Sequence, residues 1–220
     1  MRRYLNLAVA AALCAPLPAM AASAGAAIAQ GGVPAAGVMA CSSCHGAEGQ
    51  GNPAIGAPRL AGLGRAYIVE QLDNFATGAR ANPIMMPMAK GLTGAQRRAV
   101  ASYFSAMPRA VPAGTVPAAA PAVSLGQTLA ERGRWPAGLP ACAQCHGPNG
   151  VGVGPRFPPL AGLPAAYIAA QLAAWQAGKR PPGPLGLMAA VARKLSAQDI
   201  QAVSAYFAGL RVTPAKAAKP

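Results

Sequence analysis

The sequence predicts an all-α fold made of two copies of one helical domain, and three observations lead to this prediction. Short sequence matches recur along the 220-residue chain at an offset of 100 to 103 residues, which indicates an internal duplication. Apolar residues in the matching segments recur at helical spacing. No run of β-branched residues precedes either of two cysteine-containing motifs, so strands are not expected beside these motifs.

The duplication covers most of the chain. The sequence Leu-Ala-Gly-Leu occurs at 60–63 and again at 160–163. Four further pairs match in the same order: Tyr67-Ile68 with Tyr167-Ile168, Gln71-Leu72 with Gln171-Leu172, Gly78 and Arg80 with Gly178 and Arg180, and Tyr103-Phe104 with Tyr206-Phe207. These matches predict two related domains of about 85 residues each rather than an array of many short repeats.

Each copy is expected to contain three helices or so. The first helix runs into the cysteine motif, and in the second copy it begins near Ser124 and breaks at Trp135-Pro136. The middle helix carries large apolar residues at positions i, i+4 and i+7, which places them on one face. These residues are Ile68, Leu72 and Phe75 in the first copy and Ile168, Leu172 and Trp175 in the second.

The last helix of each copy begins at a predicted capping box. Thr93 is followed three residues later by Gln96, and Ser196 is followed three residues later by Asp199. In such a box, each side chain accepts a hydrogen bond from the backbone N–H of the other residue. An apolar stripe follows each box, formed by Val100, Tyr103, Phe104 and Met107 in one copy and by Ile200, Val203, Phe207 and Leu210 in the other.

The repeat and the composition set the expected domain boundaries. The first domain is expected at 30–108 and the second at 124–212. Between them, residues 109–123 are rich in proline and alanine, which is typical of an extended, semi-rigid linker. The final residues, 213–220, are expected to form a flexible tail.

Residues 1–29 have the features of an export signal. Arg2 and Arg3 form a basic start, an apolar stretch follows at 5–17, and small-residue sites end at positions 21, 24 and 29. This order predicts a signal peptide that is cleaved somewhere within 21–29. The chain is therefore expected in the periplasm.

Two features of the leader require separate interpretation. Cys14 follows Leu13, whereas a lipoprotein cleavage site would have a small residue there, so Cys14 is expected to be removed with the leader. The alternative to cleavage is a membrane anchor over residues 7–29, which carry no charge. Pro16 and Pro18, together with weak alanine-rich hydrophobicity, argue against a stable bilayer span.

Two pentapeptides contain both histidines of the chain and four of its five cysteines. Cys-x-x-Cys-His is the attachment pattern of c-type haem, in which the two thiols form thioethers and the histidine binds the iron. The sequence therefore predicts two covalently bound haem c groups. The residues expected to hold them are Cys41, Cys44 and His45 in the first copy and Cys142, Cys145 and His146 in the second.

Other uses of these cysteines are less consistent with the pattern. A tetrahedral zinc site takes four ligands, and a histidine directly after the second cysteine makes that geometry awkward. A redox dithiol would not require the histidine and would follow a strand. A disulfide within Cys-x-x-Cys would close a very small ring and gain little loop entropy.

Methionine is the expected second ligand of each iron, because no histidine remains and a thioether raises the reduction potential. The second copy has one methionine, Met188, which lies seven residues before Leu195. In the first copy, Met85 lies seven residues before the matching Leu92. The competing residues in the first copy are Met86 and Met88.

Two matched prolines are expected to orient the histidines. A ligating imidazole is normally held by a hydrogen bond from its other ring nitrogen. Pro58 and Pro158 precede the two Leu-Ala-Gly-Leu segments, and their carbonyl groups can accept this bond without a competing N–H on the same residue. An ordinary loop role for both prolines is the alternative.

The chain is strongly basic, with a formal net charge of +14. Residues 111–220 carry ten lysines and arginines against two acidic residues, whereas residues 25–110 carry seven against three. Such an excess favours encounter with an acidic redox partner protein, although solubility alone is the alternative. The basic residues are scattered, which argues against nucleic acid as a partner.

At the level of the whole pattern, residues 30–212 resemble the cytochrome c4 family of periplasmic dihaem proteins. The segments that carry the resemblance are Cys41-x-x-Cys44-His45-Gly46, Pro58-x-Leu60-Ala61-Gly62, Met85-x-x-Met88 and Tyr103-Phe104, with their second-copy counterparts. The resemblance implies two class I cytochrome c domains related by a pseudo-twofold axis. It also implies histidine–methionine ligation of both irons and haem edges that face each other across the domain interface.

The family resemblance implies electron transfer rather than catalysis. The main expectation is a shuttle between respiratory complexes that delivers electrons to a terminal oxidase, with a quinol–cytochrome c oxidoreductase as another partner and peripheral membrane association as an option. The alternative is a dedicated electron-accepting subunit of a periplasmic dehydrogenase. An enzyme is not expected, because no cysteine or histidine outside the leader is left to form a reactive iron site.

Overall fold

The computed structural model describes residues 17–108 and 121–210. Within these ranges the chain is helical, and its only β-type contacts are four isolated bridges. In the part of the chain that the structure describes, ten α-helices form two sets of five that follow one another in the same order. This arrangement confirms the predicted all-α, duplicated fold.

Each domain contains three longer helices and two short ones. Domain 1 contains α1 (Leu17–Gly31), α2 (Ser42–His45), α3 (Arg65–Thr77), α4 (Met85–Lys90) and α5 (Gly94–Ala106). Domain 2 contains α6 (Pro121–Glu131), α7 (Cys142–His146), α8 (Ala165–Gln176), α9 (Leu187–Arg193) and α10 (Ala197–Gly209). The short helices carry the cysteine motifs and the methionines, and they are too short for apolar periodicity to reveal them in the sequence.

Both predicted capping boxes are present. The Gln96 backbone N–H donates to Thr93 Oγ1 at 3.2 Å, and the Thr93 N–H donates to Gln96 Oε1 at 2.8 Å. The corresponding distances at Ser196 and Asp199 are 3.1 and 2.9 Å. These bonds satisfy backbone donors at the first turns of α5 and α10.

The first and last helices of each domain pack closely because a glycine lies at their contact. A Cβ atom on Gly25 of α1 would clash with the Ala99 carbonyl oxygen of α5. A Cβ atom on Gly126 of α6 would clash in the same way with Ala202 of α10. The middle helices α3 and α8 pack on the last helix and on the short methionine-bearing helix of the same domain. Each domain thus encloses its own apolar core.

Helix α1 contributes residues to the domain 1 core on the N-terminal side of residue 30, where the sequence-based boundary was placed. Ile28 and Ala29 belong to the domain 1 core and are 8% and 0% exposed. They would be lost by cleavage at the last of the expected signal-peptide sites. In domain 2, α6 is described from Pro121 onwards and packs on α10. Such contacts between distant helices are not visible in local composition.

Some sequence-based expectations concern residues that the structure does not describe. The start of the predicted leader with Cys14, most of the predicted linker and the predicted tail lie outside the described residues. Across the described ranges, no helix combines the length and apolar character needed to cross a bilayer.

Candidate functional site

The two histidines of the cysteine motifs are buried and oriented in the same way. His45 and His146 are 7% and 6% exposed. The Nδ1 atom of His45 lies 2.7 Å from the Pro58 carbonyl oxygen, and the Nδ1 atom of His146 lies 2.7 Å from that of Pro158. A ring that donates from Nδ1 keeps Nε2 free to bind a metal. The structure therefore contains both hydrogen bonds that the sequence predicts.

Electrostatics favour the neutral form of both imidazoles, which is the form that ligates iron. Burial lowers the pKa of His45 and of His146, and the hydrogen bond to each proline carbonyl acts in the opposite direction with smaller effect. The loop after each histidine is also fixed, since Gly51 N–H donates to the His45 carbonyl at 2.8 Å and Gly152 N–H to that of His146 at 2.7 Å.

Four thiols lie beside these histidines in the same cavity. Cys41, Cys44, Cys142 and Cys145 are free rather than disulfide-bonded, and all four line the cavity. Burial raises the pKa of Cys41 and raises that of Cys142 to about 11. Each domain thus presents two thiols and one imidazole from a single helical turn.

The methionine side of the cavity narrows the choice of second ligand in domain 1. Met85 and Met88 line the cavity, as does Met188 in domain 2. Met86 is not among the lining residues. The position that matches Met88 is occupied by Val191, which also lines the cavity. Since only the first of the two positions is methionine in both domains, Met85 and Met188 remain the predicted pair.

The cavity has a volume of about 780 Å³ and extends through both domains. Its walls are largely apolar, with residues from both cores. The thiols, the oriented histidine and a methionine of each domain meet around this space. An apolar cavity with these donors fits one covalently attached haem in each domain.

Buried cations provide a further test of this fit. Arg59, Arg80 and Arg180 line the cavity and are only 1%, 6% and 7% exposed. None of the three ion pairs found among the described residues involves Arg80 or Arg180. A guanidinium in a low-dielectric site needs an anionic partner, and the propionate carboxylates of haem supply one. The buried positive charge in the cavity therefore supports the same conclusion as its apolar walls and its ligand side chains, namely that each domain fits one haem.

Arg80 and Arg180 also connect the two domains through what we call the interdomain arginine network. Its members are Arg80, Gln71 and Tyr67 from domain 1 and Arg180, Gln171 and Tyr167 from domain 2. Arg80 donates to Gln171 Oε1 at 2.5 Å and to the Tyr167 hydroxyl at 3.1 Å. Arg180 donates to Gln71 Oε1 at 3.1 Å and to the Tyr67 hydroxyl at 3.2 Å. The reciprocal bonds relate the domains by a pseudo-twofold axis.

The environment of this network shifts the ionisation of its members in different directions: burial acts to raise the pKa of Tyr167, but the positive charges of Arg80 and Arg180 outweigh burial and lower it. Burial raises the pKa of Tyr67 and lowers that of Arg180. Each guanidinium also lies over an aromatic ring of its own domain, with Arg80 4.5 Å from the Phe75 centroid and Arg180 3.9 Å from that of Trp175. The sequence comparison of the two copies found these arginines, tyrosines and glutamines as matches but assigned them no role.

Comparison with known proteins agrees with this site. The family model described as "Cytochrome c" matches the chain twice, at residues 24–108 and 123–211. The chain belongs to the cytochrome c family. Its two attachment motifs therefore carry two covalently bound haem c groups, and the bound irons supply reversible one-electron oxidation and reduction. This cytochrome is an electron carrier rather than an enzyme.

Three similar proteins place it within the family. The "Thiosulfate dehydrogenase electron acceptor" of Thiomonas intermedia is 48% identical over 81% of this chain and 82% of its own length. The reduced cytochrome c4 of Pseudomonas stutzeri has a TM-score of 0.73 at 34% identity and covers 87% of this chain and 98% of its own. The cytochrome c4 resemblance is thereby confirmed.

The third similar protein is a thiosulfate dehydrogenase from Marichromatium purpuratum, which is known as a solved structure. Its TM-score is 0.81 at 46% identity, and the match covers 86% of this chain. The present chain spans only 40% of the length of that protein. These comparisons support an electron-accepting cytochrome subunit better than the shuttle to a terminal oxidase that was the main expectation from sequence. The partner is a redox protein in either case.

Proposed function

We propose that this cytochrome is the electron acceptor of a dehydrogenase that oxidises thiosulfate. The observation that carries the proposal is its similarity, over about four-fifths of both chains, to a protein named for that role. The site supports it, because each domain has a complete set of haem ligands and both sets border one cavity. Because both ligand sets border the same cavity, an electron received by one domain can pass to the other.

The roles of the site residues form part of the proposal. His45 and His146 bind iron through Nε2, and the Pro58 and Pro158 carbonyls fix their orientation. Met85 and Met188 supply the opposite ligands, and the thioether sulfur favours the ferrous state. That preference suits a protein that receives electrons.

A direct reduction experiment tests the proposal. Oxidised holoprotein is mixed with thiosulfate in the presence of a purified thiosulfate dehydrogenase, and both haems are expected to be reduced, as followed by visible absorption. Thiosulfate without the dehydrogenase is expected to give no reduction on the same timescale, because this chain is a carrier. If ascorbate reduces the protein while thiosulfate plus dehydrogenase does not, the proposed partner is wrong.

We also propose a periplasmic location, with cleavage after residue 21. Sites ending at 24 and 29 lie at or inside the part of α1 that packs on α5, where Gly25 meets Ala99 and Ile28 is buried. The earliest site leaves these contacts intact. The intact mass of the protein from a periplasmic extract checks this, since the mature chain should begin at Ala22.

Encounter with the partner is expected to depend on the positive charge near the Met188 end of domain 2. Arg193 is exposed at the end of α9, and its counterpart in domain 1 is Lys90, exposed at the end of α4. Because salt shortens the reach of surface charges to about 8 Å at physiological ionic strength, the reduction rate should fall as salt rises.

A matched pair of charge reversals locates this effect. Arg193→Glu should slow reduction by the dehydrogenase several-fold at low salt, and the difference should shrink at high salt. Lys90→Glu makes the same charge change at the equivalent position of domain 1 and should have little effect. A rate that is independent of salt would mean that the basic charge serves solubility and that docking is apolar.

A further inference from the structure

Leu185 is an unusual residue in this fold. Its side chain is 93% exposed, more than that of any other exposed large apolar residue among those described. Its backbone is left-handed, with φ 57° and ψ 12°. A leucine in this region is strained, and an exposed leucine gains nothing from burial. Folding alone therefore gives no reason for leucine at this position.

The segment that carries Leu185 has no equivalent in domain 1. Four residues separate Arg80 from Met85, whereas seven separate Arg180 from Met188. The three additional residues of domain 2 allow a 3₁₀ turn at Pro184–Gly186, which carries Leu185. Loop insertions that distinguish otherwise matching domains are places where binding functions reside.

Domain 2 carries further exposed apolar residues at the opening of the cavity, and Leu187, two residues after Leu185, is one of them. We define the domain 2 rim as Val153, Phe157, Leu185 and Leu187. Phe157 and Leu187 line the cavity and are 37% and 44% exposed, and Val153, which is 48% exposed, pairs with Phe157 through an isolated bridge. The Phe157 ring meets the His146 ring edge-on, with centroids 6.3 Å apart. A protein that touches the rim is thus close to the iron site.

Domain 2, which carries the rim, has an excess of positive charge. Domain 2 has seven lysines and arginines against two acidic residues within 121–210. Both acids of domain 2 are paired, since Asp199 bonds Arg134 at 2.6 Å and Glu131 accepts from the Tyr206 hydroxyl at 3.0 Å. The acid nearest the rim in the structure is Glu70 of domain 1, which lies 3.6 Å from Arg156 beside Phe157 and is neutralised by it. Lys179 and Arg193, which flank the loop in sequence, are exposed. The rim therefore favours a partner surface that carries carboxylates.

We propose that the domain 2 rim is the docking surface for the thiosulfate-oxidising dehydrogenase, with Leu185 as its apolar anchor. The matching face of the dehydrogenase is an apolar depression bordered by acidic residues. This inference rests on the proposed function and adds which domain is reduced first. Electrons enter at the haem of domain 2 and continue to that of domain 1. A central apolar anchor with a charged border is a common arrangement in protein interfaces.

The variant Leu185→Asn separates docking from folding. Asparagine tolerates the left-handed region better than leucine does, so thermal unfolding should occur at the wild-type temperature or above it. The second-order rate of reduction by a purified thiosulfate dehydrogenase should nevertheless fall about tenfold. Reduction by ascorbate and the two midpoint potentials should be unchanged, because Leu185 does not line the cavity. Leu185→Met keeps an apolar side chain and should retain most of the wild-type rate.

The matched control lies at the opening of the cavity in domain 1. Ile55 lines that opening and is 61% exposed, so Ile55→Asn removes a similar exposed apolar side chain. It should reduce the rate less than twofold. An equal or larger loss with Ile55→Asn, or a wild-type rate with Leu185→Asn, would overturn the docking site while leaving the proposed function in place. A wild-type protein that the dehydrogenase does not reduce would overturn both.

Discussion

Replacing Met188 with alanine is expected to lower the midpoint potential of one haem by on the order of 100 mV, since axial ligands set haem potentials over about 0.8 V. Met188 is the one methionine of domain 2 among the residues that line the cavity. A thioether stabilises ferrous iron, and alanine cannot replace it. The variant should also show one high-spin haem and lose half of the weak red absorption band of a sulfur–iron bond.

Domain 1 provides the matched experiment. Met85→Ala should change the other haem in the same way, whereas Met88→Ala should leave the red band intact, because its counterpart Val191 cannot bind iron. Spectroelectrochemical titration with absorption and magnetic resonance spectra measures all three variants. If Met88→Ala removes the band and Met85→Ala does not, the ligand in domain 1 is Met88. Unchanged spectra in Met188→Ala would show that the ligand assignment in domain 2 is wrong.

The residues that the structure brings together around the cavity could be predicted in large part because local spacing determines them. The two thiols and the histidine come from one helical turn, so five consecutive residues identify the site. The match between Met85 and Met188 relies on the constant distance to a core leucine of the following helix. The hydrogen bonds from His45 to Pro58 and from His146 to Pro158 span only 13 and 12 residues, and the duplication shows both ends of each bond.

Features that depend on contacts between distant segments could not be predicted in this way. Helix α1 belongs to domain 1 because Gly25 meets Ala99, and an alanine-rich composition conceals that contact within an apparent leader. The left-handed backbone of Leu185 is also concealed, because glycine or asparagine is the usual signal for that conformation. The choice between the two expected partners could not be made from the sequence for a related reason: both partners require a haem edge near the surface, so the haem motifs do not distinguish them.

The interdomain arginine network is the largest such feature, since its bonds join residues 87 to 113 positions apart. We expect Arg80→Gln to lower the free energy of unfolding by roughly 2–3 kcal/mol, because a shorter amide cannot serve the acceptors of Arg80 in the partner domain. Arg180→Gln should have a similar effect, since its bonds mirror those of Arg80. Denaturant unfolding of the holoprotein measures both changes.

The same substitutions should lower both midpoint potentials, because a buried cation disfavours the additional positive charge of ferric iron. At a separation of ~10 Å and an effective dielectric constant of ~20, one charge contributes about 1–2 kcal/mol, or roughly 50–100 mV. Arg65→Gln is the control, since Arg65 is an exposed arginine of domain 1 that bonds Ser102, and water should screen its charge. If the role of the network were purely mechanical, the Arg80→Gln and Arg180→Gln substitutions would destabilise the fold but leave both midpoint potentials unchanged. A fall in both potentials with either buried arginine, and in neither with Arg65, would show that the buried charges of the network help to set the haem potentials.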